Sequence, residues 1–239
     1  MIIPILFSCS GAALLVLFCI KRVKGATPFV AMIKALVSFC FIATALSSIA
    51  FGACDAPRLR FTFFMVMGLV CGAYGDIALD LKYAHRKSEA TYTNAGFISF
   101  LFGHVFYDVG LISEFYVKGN AKAIIIPTVI SIAVAIGMYF SEKLMKLDYG
   151  QYRLIVSVYS AFLVSLGAFS FSMAKLHGFR NVGLDIIFGG SIFFMISDFI
   201  LSGTYFGQGK NRPVDIVTNH VTYYIAQYAI ALSLCFCAN

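Results

Sequence analysis

Eight long apolar runs limit what this 239-residue chain can fold into. Each run has about 20 residues or more, which is the length that an α-helix needs to cross the roughly 30 Å hydrocarbon core of a bilayer. Because the segments between the runs are short, none of them is long enough to form a separate soluble domain. We therefore expect one all-α domain over residues 1–239, a polytopic bundle of eight transmembrane helices. The runs cover approximately residues 2–20, 29–51, 61–81, 93–117, 122–140, 154–174, 182–206 and 214–237.

The charged residues are few, and their distribution indicates membrane topology rather than a nucleic-acid partner. Only 12% of the residues are charged, whereas a soluble domain carries about 25%. The net charge is +7, with eleven lysines and arginines in the odd-numbered loops and six in the even-numbered loops. By the positive-inside rule, we expect the odd-numbered loops in the cytoplasm and both termini outside. The first run has no basic start and no small-residue cleavage site, so we expect it to be retained as a helix.

The cysteines and histidines give little support for a metal site. The seven cysteines form no CxxC pair, and six of them lie in apolar runs, where cysteine usually acts as a small hydrophobic residue. The four histidines include no HxxxH or HExxH pair, a spacing that places two imidazoles on one metal ion. We interpret the cysteines as packing residues.

Polar side chains inside the apolar runs are the candidates for function. A charged residue near the centre of a transmembrane helix costs about 2.5–3.5 kcal/mol, so it is expected to face the bundle interior or a water-filled cavity. Asp80 and Asp185 lie near the ends of their runs, and we interpret them as solvated interface residues. The remaining candidates are Lys34, Asp76, His104, Tyr107, Asp108, Tyr159, Ser197, Asp198, His220, Tyr223, Tyr224 and Gln227.

Five of these residues lie at a similar depth in the membrane. Depth is counted from the odd-numbered loops, because alternate helices run in opposite directions. At a rise of 1.5 Å per residue, the five lie about 9 to 18 Å into their helices. We therefore expect one cavity that opens toward the odd-numbered loops. The five residues are Lys34, Asp76, Tyr159, Asp198 and Tyr224.

Several candidates also have a purely structural interpretation. Lys34 can serve only to neutralise Asp76 or Asp198 in an ion pair. His104 can be an interior histidine that Asp108 orients. For the two acids Asp76 and Asp198 a functional role is favoured, because burying a carboxyl group in a membrane is costly.

Six segments of the apolar runs contain polar residues or glycines in a distinctive order. They are AMIKALVSF in the second run, GAYGDIALD in the third, GFISFLFGHVFYDVGL in the fourth, VYS in the sixth, GGSIFFMISDFILS in the seventh and TYYIAQYAI in the eighth. In this order along the chain, they resemble the YhhN-type lysoplasmalogenases, a family of eight-helix integral membrane hydrolases. The resemblance implies hydrolysis of the vinyl ether bond of a lysoplasmalogen to a fatty aldehyde and glycerophosphoethanolamine or glycerophosphocholine. The implied partners are this lysophospholipid, water and the lipid bilayer, and no metal or organic cofactor is implied.

The resemblance also assigns roles to individual residues. The family's two aspartates correspond to Asp76 and Asp198, which would form the catalytic pair. The expected substrate-binding residues around them are Lys34, His104, Tyr107, Tyr159, Ser197, Tyr223, Tyr224 and Gln227.

The chemistry of a vinyl ether fits two carboxyl groups. Cleavage begins when an acid protonates the alkenyl carbon, and water then captures the oxocarbenium ion as a hemiacetal. The site needs one acid that is protonated near neutral pH and a second group that stabilises the cation and activates water. Two carboxyl groups in a low-dielectric cavity supply both, because burial and mutual proximity keep one protonated while the other ionises. The sequence leaves open whether Asp76 or Asp198 is the acid.

Three other functions fit the same polar residues. A proton-coupled transporter would use the intramembrane acids as relays, and the shared Asp-x-x-Leu of GDIALD and SDFILS favours an internal repeat. A metal-dependent membrane hydrolase would use His104, Asp108 and His220. A lipid-binding receptor would bind the same lipid without turnover.

Overall fold

The computed structural model describes residues 1–52, 58–207 and 212–236, and these residues form a bundle of eight long helices without strands. Two 3-10 turns, Arg86–Ser88 and Gly150–Tyr152, precede α4 and α7. Three residues counted in the sequence analysis lie outside the described residues. They are Cys54 and Cys237, which were interpreted as packing residues, and Lys210, which was counted among the loop charges. The helices are α1 (Ile2–Lys24), α2 (Pro28–Phe51), α3 (Leu59–Ala84), α4 (Glu89–Phe115), α5 (Lys122–Phe140), the single-turn α6 (Glu142–Met145), α7 (Arg153–Leu176), α8 (Val182–Phe206) and α9 (Pro213–Ser233).

The expectation of an all-α membrane bundle is confirmed. Seven of the eight long helices, α1 to α5, α7 and α8, are long and apolar enough to cross a membrane. The remaining helix, α9, has 21 residues but carries Asn219, His220, three tyrosines and Gln227. It packs against α1, α2, α3 and α8, so the least apolar long helix lies inside the bundle, where its polar side chains find partners.

Local sequence signals fix where several helices begin. Thr27 precedes α2 and accepts a hydrogen bond from the backbone N–H of Val30 at 3.3 Å, and Pro28 occupies the first turn. Asn181 caps α8 in the same way, accepting from the Leu184 N–H at 3.0 Å. These side chains satisfy backbone donors that have no partner within the helix.

Glycines on α3 let large side chains from neighbouring helices reach its backbone. A Cβ atom at Gly68 would lie 2.2 Å from the ring of Tyr107, and one at Gly72 would lie 2.5 Å from the Gln227 amide nitrogen. Small residues at such contacts allow close packing in membranes. The Gly68 and Gly72 positions thereby bring polar groups of α4 and α9 against the face of α3 that carries Asp76.

Helix α5 is peripheral and leaves a gap in the bundle. Among the long helices, in the part of the chain that the structure describes, the α5 backbone lies close only to that of α7 and not to that of α8. The segment between α5 and α7 folds back over the end of α8, where the Asp148 N–H donates to the Phe206 carbonyl at 2.9 Å. Glu142 holds this segment by accepting from the Tyr149 N–H at 2.8 Å and pairing with Arg153, and these contacts lower the pKa of Glu142 from its usual value.

Candidate active site

A cavity of about 440 Å³ lies among α1, α2, α3, α8 and α9, with walls also from α4 and α7. It reaches the α1–α2 loop at Gly25 and Ala26 and the last turns of α3 and α8. The cavity is therefore next to the odd-numbered loops, at the level that the depth of the polar residues predicts. Its polar lining includes Lys34, Asp76, Asp80, Tyr159, Asp198 and Tyr223.

Asp76 is held by charge and by hydrogen bonds from two neighbouring helices, α2 and α9. It is only 2% exposed, and the Lys34 ammonium lies 3.2 Å from its Oδ1. Its Oδ2 accepts hydrogen bonds from the Ser38 hydroxyl at 2.7 Å and from the Tyr223 hydroxyl at 2.9 Å. An adjacent cation and several donors stabilise a carboxylate. Asp76 therefore has the surroundings of an ionised group.

A chain of hydrogen bonds behind Tyr223 fixes its direction. The Gln227 amide donates to the Tyr223 hydroxyl at 2.9 Å, and the Tyr107 hydroxyl donates to the Gln227 carbonyl oxygen at 3.0 Å. Because the Tyr223 oxygen already accepts from Gln227, the Tyr223 hydroxyl directs its own proton toward Asp76. Tyr107 and Gln227 thus lie behind the cavity wall and act on Asp76 through Tyr223.

Tyr224 also lies behind Asp76 instead of lining the cavity. Its hydroxyl is 3.1 Å from the Ser38 hydroxyl and 3.5 Å from Asp76 Oδ2. Ser38 was missed in the sequence analysis, although it follows Lys34 by four residues and therefore shares its helix face. That spacing is the signal that would have found it.

Asp198 has very different surroundings. It is 9% exposed, and its Oδ2 accepts a hydrogen bond from the Tyr159 hydroxyl. Within the described residues no lysine, arginine or histidine forms an ion pair with Asp198. In this part of the chain no cationic side chain therefore compensates a charge on this carboxyl group, in contrast to Asp76.

The interpretation of Asp80 as a solvated interface residue is wrong. Asp80 is 4% exposed and lies 3.8 Å from the Lys34 ammonium and 3.7 Å from the Arg22 guanidinium. Helix α3 continues to Ala84, beyond the predicted end at residue 81, and Arg22 at the end of α1 lies over Asp80. Asp185, by contrast, lies in the first turn of α8 and is partly exposed.

His104 is buried beside the cavity and does not line it. Its ring packs against Tyr159, with 5.7 Å between ring centroids, and against Phe194 at 4.7 Å. Neither ring nitrogen has a hydrogen-bond partner among the residues described here. The interpretation that Asp108 orients His104 is wrong, because Asp108 accepts from the Ser165 hydroxyl instead.

Ser197 contributes to the cavity wall through a clasp between α8 and α9. The Asn219 amide donates to the Ser197 carbonyl at 2.8 Å, and the Ser197 hydroxyl donates to the Asn219 carbonyl at 3.1 Å. Asn219 lines the cavity and was missed because a single asparagine in an apolar run has no motif around it. The clasp positions Asp198, the next residue along α8.

The residues of a metal-dependent hydrolase are not brought together. The His220 ring packs against Phe18, and its Nδ1 is hydrogen-bonded to the Ile216 carbonyl. His104 instead packs against the rings of Tyr159 on α7 and Phe194 on α8. In the described ranges no three His, Cys, Asp or Glu side chains are placed to hold a metal ion. The donor set of His104, Asp108 and His220 is therefore not assembled.

A second, apolar groove of about 310 Å³ meets the polar cavity at Asp198. It lies in the gap over α7, between α5 and α8. Tyr159 and Asp198 line both spaces, so their hydrogen bond marks the boundary between a polar and an apolar compartment.

Comparison with known protein families finds one match, to the sequence model of the YhhN family, which covers residues 5–234. This is nearly the whole chain and includes every residue of the cavity. Neither the curated proteins nor the solved structures contain a significant match.

Proposed function

The chain belongs to the YhhN family, and from that premise we propose that it is a lysoplasmalogenase, which hydrolyses the vinyl ether bond of a single-chain ether phospholipid. Family membership is consistent with a membrane hydrolase. The observation that carries the specific reaction is the pair of carboxyl groups on one cavity, Asp76 beside a cation and Asp198 with only a neutral partner.

In this proposal Asp198 is the acid. No cation compensates its charge among the described residues, and its surroundings are apolar, so the protonated form is favoured. Tyr159 occupies Oδ2, which leaves Oδ1 to carry the proton. Asp198 transfers this proton to the alkenyl carbon that does not bear the oxygen, and the ether becomes an oxocarbenium ion.

Asp76 is the carboxylate in this proposal. Lys34 and the donors from Ser38 and Tyr223 keep it ionised. Its negative charge stabilises the oxocarbenium ion, and it takes a proton from the water that adds to that ion.

The second half of the reaction restores both acids. When the hemiacetal collapses, its hydroxyl proton returns to Asp198, and the proton that Asp76 accepted passes to the departing glycerol oxygen. The products are a fatty aldehyde and the glycerophospho headgroup, and the net consumption is one water molecule. Each carboxyl group thus ends in the state in which it began.

The headgroup is placed toward the α1–α2 loop. Arg22 lines the cavity there, and its contact with Asp80 is a long one at 3.7 Å. A guanidinium pairs well with a phosphate, so Arg22 is the proposed phosphate ligand. Lys34 is paired with Asp76 at 3.2 Å, and its proposed role is to hold the charge of Asp76.

The test is aldehyde release from a lysoplasmalogen by the purified protein. Asp76→Asn and Asp198→Asn are each expected to lower kcat by about a thousandfold or more, because each removes a proton-transfer group. Asp185→Asn is the matched control, since this aspartate lies outside the cavity, and it is expected to retain activity. Release that persists in both cavity variants would refute the mechanism, and a wild-type protein that releases no aldehyde would refute the function.

Chelator treatment separates this proposal from a metal-dependent hydrolase. Aldehyde release is expected to be the same with and without EDTA. Loss of release on chelation, with recovery on adding a divalent metal, would favour the metal enzyme.

A further inference from the structure

The groove beside α5 is closed at one end and apolar along its walls. Its loop-side end rests on a small core of Leu147, Tyr149 and Val156 that packs with Met138 and Phe206. Its far end lies about 16 Å away along α8, given 1.5 Å per residue. That far end is lined by Val134, Leu163, Val164 and Met195.

The groove offers almost no free hydrogen-bonding group. The Ser160 hydroxyl donates to the Val156 carbonyl of its own helix at 2.8 Å, and the Ser202 hydroxyl donates to the Phe199 carbonyl at 3.2 Å. Tyr159 donates to Asp198. A polar occupant would lose its hydrogen bonds to water here and would find few protein groups to replace them. A hydrocarbon chain makes no hydrogen bonds to water, so it would lose none.

The size and position of the groove also limit its occupant. A helix is about 10–12 Å across with its side chains, so a space of about 310 Å³ does not take one from a partner or from a second copy of this chain. Because the backbones of α5 and α8 do not approach each other closely in the described part of the chain, the groove lies between two helices that face the bilayer. A lipid chain can therefore enter it sideways.

We propose that this groove binds the alkenyl chain of the substrate and sets the preference for chain length. The proposal rests on the proposed function and deepens it. A vinyl ether is the junction between the apolar chain and the polar glycerophosphate, and Asp198 lies at the junction between the apolar groove and the polar cavity. A lipid with its chain in the groove and its phosphate toward Arg22 has its reactive bond at Asp198.

The far end of the groove provides the test of chain length. Val164→Trp fills that end, and Val158→Trp is the control, because Val158 lies on the same helix, is 39% exposed and lines neither space. Because Val164 and Met195 lie about one helical turn beyond Asp198, Val164→Trp is expected to lower kcat/KM for a long-chain lysoplasmalogen, relative to one whose chain ends before Val164, by about tenfold or more. Val158→Trp is expected to leave the ratio unchanged. Equal ratios in wild type and both variants would overturn the proposal.

A binding measurement tests the groove without turnover. The probe is a lysophospholipid with a saturated ether-linked chain that carries a diazirine at its end, which the proposed reaction does not cleave. Photolabelling followed by peptide mass spectrometry is expected to modify groove residues of α5, α7 and α8 in the wild type. Labelling confined to other helices would overturn the proposal.

The two measurements also separate this proposal from the function on which it rests. If the wild-type protein is labelled in the groove but releases no aldehyde, the proposal for the chain-binding groove stands and the proposed reaction is refuted. If Val164→Trp does not accumulate, Val134→Trp on α5 fills the same end of the groove and replaces it, with Ile136→Trp, 57% exposed and outside the groove, as control.

Discussion

Asp76 and Asp198 differ in their partners rather than in their burial. Both are almost inaccessible and both line the same cavity. Lys34 and two donors surround the first, and one tyrosine hydroxyl contacts the second. The same residue type can therefore serve once as a carboxylate and once as an acid within a single site, because the environment decides the protonation state.

The ion pairs of Lys34 give a prediction about stability. Lys34→Met leaves Asp76 without its cation and Asp80 with Arg22 as its one remaining cation among the described residues. Removing one partner of a buried pair is expected to lower the free energy of unfolding by about 3–5 kcal/mol. Chemical unfolding of the protein in detergent micelles measures this change.

The double variant Lys34→Met/Asp76→Asn is the control for charge. It removes the stranded carboxylate together with the lysine, so it is expected to recover part of the lost stability while remaining inactive. A Lys34→Met protein that is as stable as the wild type would contradict the role of Lys34 as the counter-ion of Asp76.

The sequence predicts individual site residues only as far as helix geometry determines them. The constant rise of a helix is enough to place Lys34, Asp76 and Asp198 at one level. It does not reveal which neighbour donates to which acid, because helix order around the bundle and rotation about each axis depend on packing. Asp80 was misassigned for the same reason, since its cation, Arg22, comes from another helix.

At the scale of helices, the glycine face of α3 determines how closely α4 and α9 approach. The ring of Tyr107 packs against Gly68, and the amide of Gln227 packs against Gly72. Both side chains belong to the hydrogen-bond chain that ends at Asp76. Helix packing and the hydrogen bonding of Asp76 are thus connected through the same two glycines.

Substituting one of these glycines tests that connection. Gly68→Ala places a methyl group 2.2 Å from Tyr107 Cε1, and overpacking of this kind is expected to destabilise the protein by about 1–3 kcal/mol. The measurement is the midpoint of thermal unfolding in detergent. Gly137→Ala on α5 is the matched control, since no atom lies within 4 Å of its added methyl group. Equal destabilisation by both variants would contradict close packing at Gly68.

The apolar runs predict the helices well because each run must span the same bilayer thickness. The polar residues of α9 weaken that signal, and the short α6 gives none, since four residues carry no periodicity. The groove could not be predicted at all. It depends on α5 packing against α7 without reaching α8, and a uniformly apolar helix such as α5 carries no mark of which neighbour it has.

At the scale of the whole molecule, the charge distribution predicts an orientation. From the excess of lysine and arginine in the odd-numbered loops, we expect the mouth of the cavity on the cytoplasmic side. Lys24 at the first loop and Lys118 at the fourth are both exposed, so they are matched sites for a cysteine.

Labelling with a membrane-impermeant maleimide measures this orientation. In intact cells Lys118→Cys is expected to react above the background of the parent chain, and Lys24→Cys only after permeabilisation. The opposite pattern would place the cavity mouth on the outer side and invert the topology.

The central position of α9 has a consequence for biogenesis. A segment with an asparagine, a histidine, tyrosines and a glutamine partitions poorly into hydrocarbon by itself, yet α9 supplies Tyr223 to Asp76 and Asn219 to the clasp with α8. Its insertion therefore depends on helices that are already in the bilayer and can receive its polar groups. Among the described helices α9 comes after all the others in the chain, so the cavity is complete only once this helix has docked.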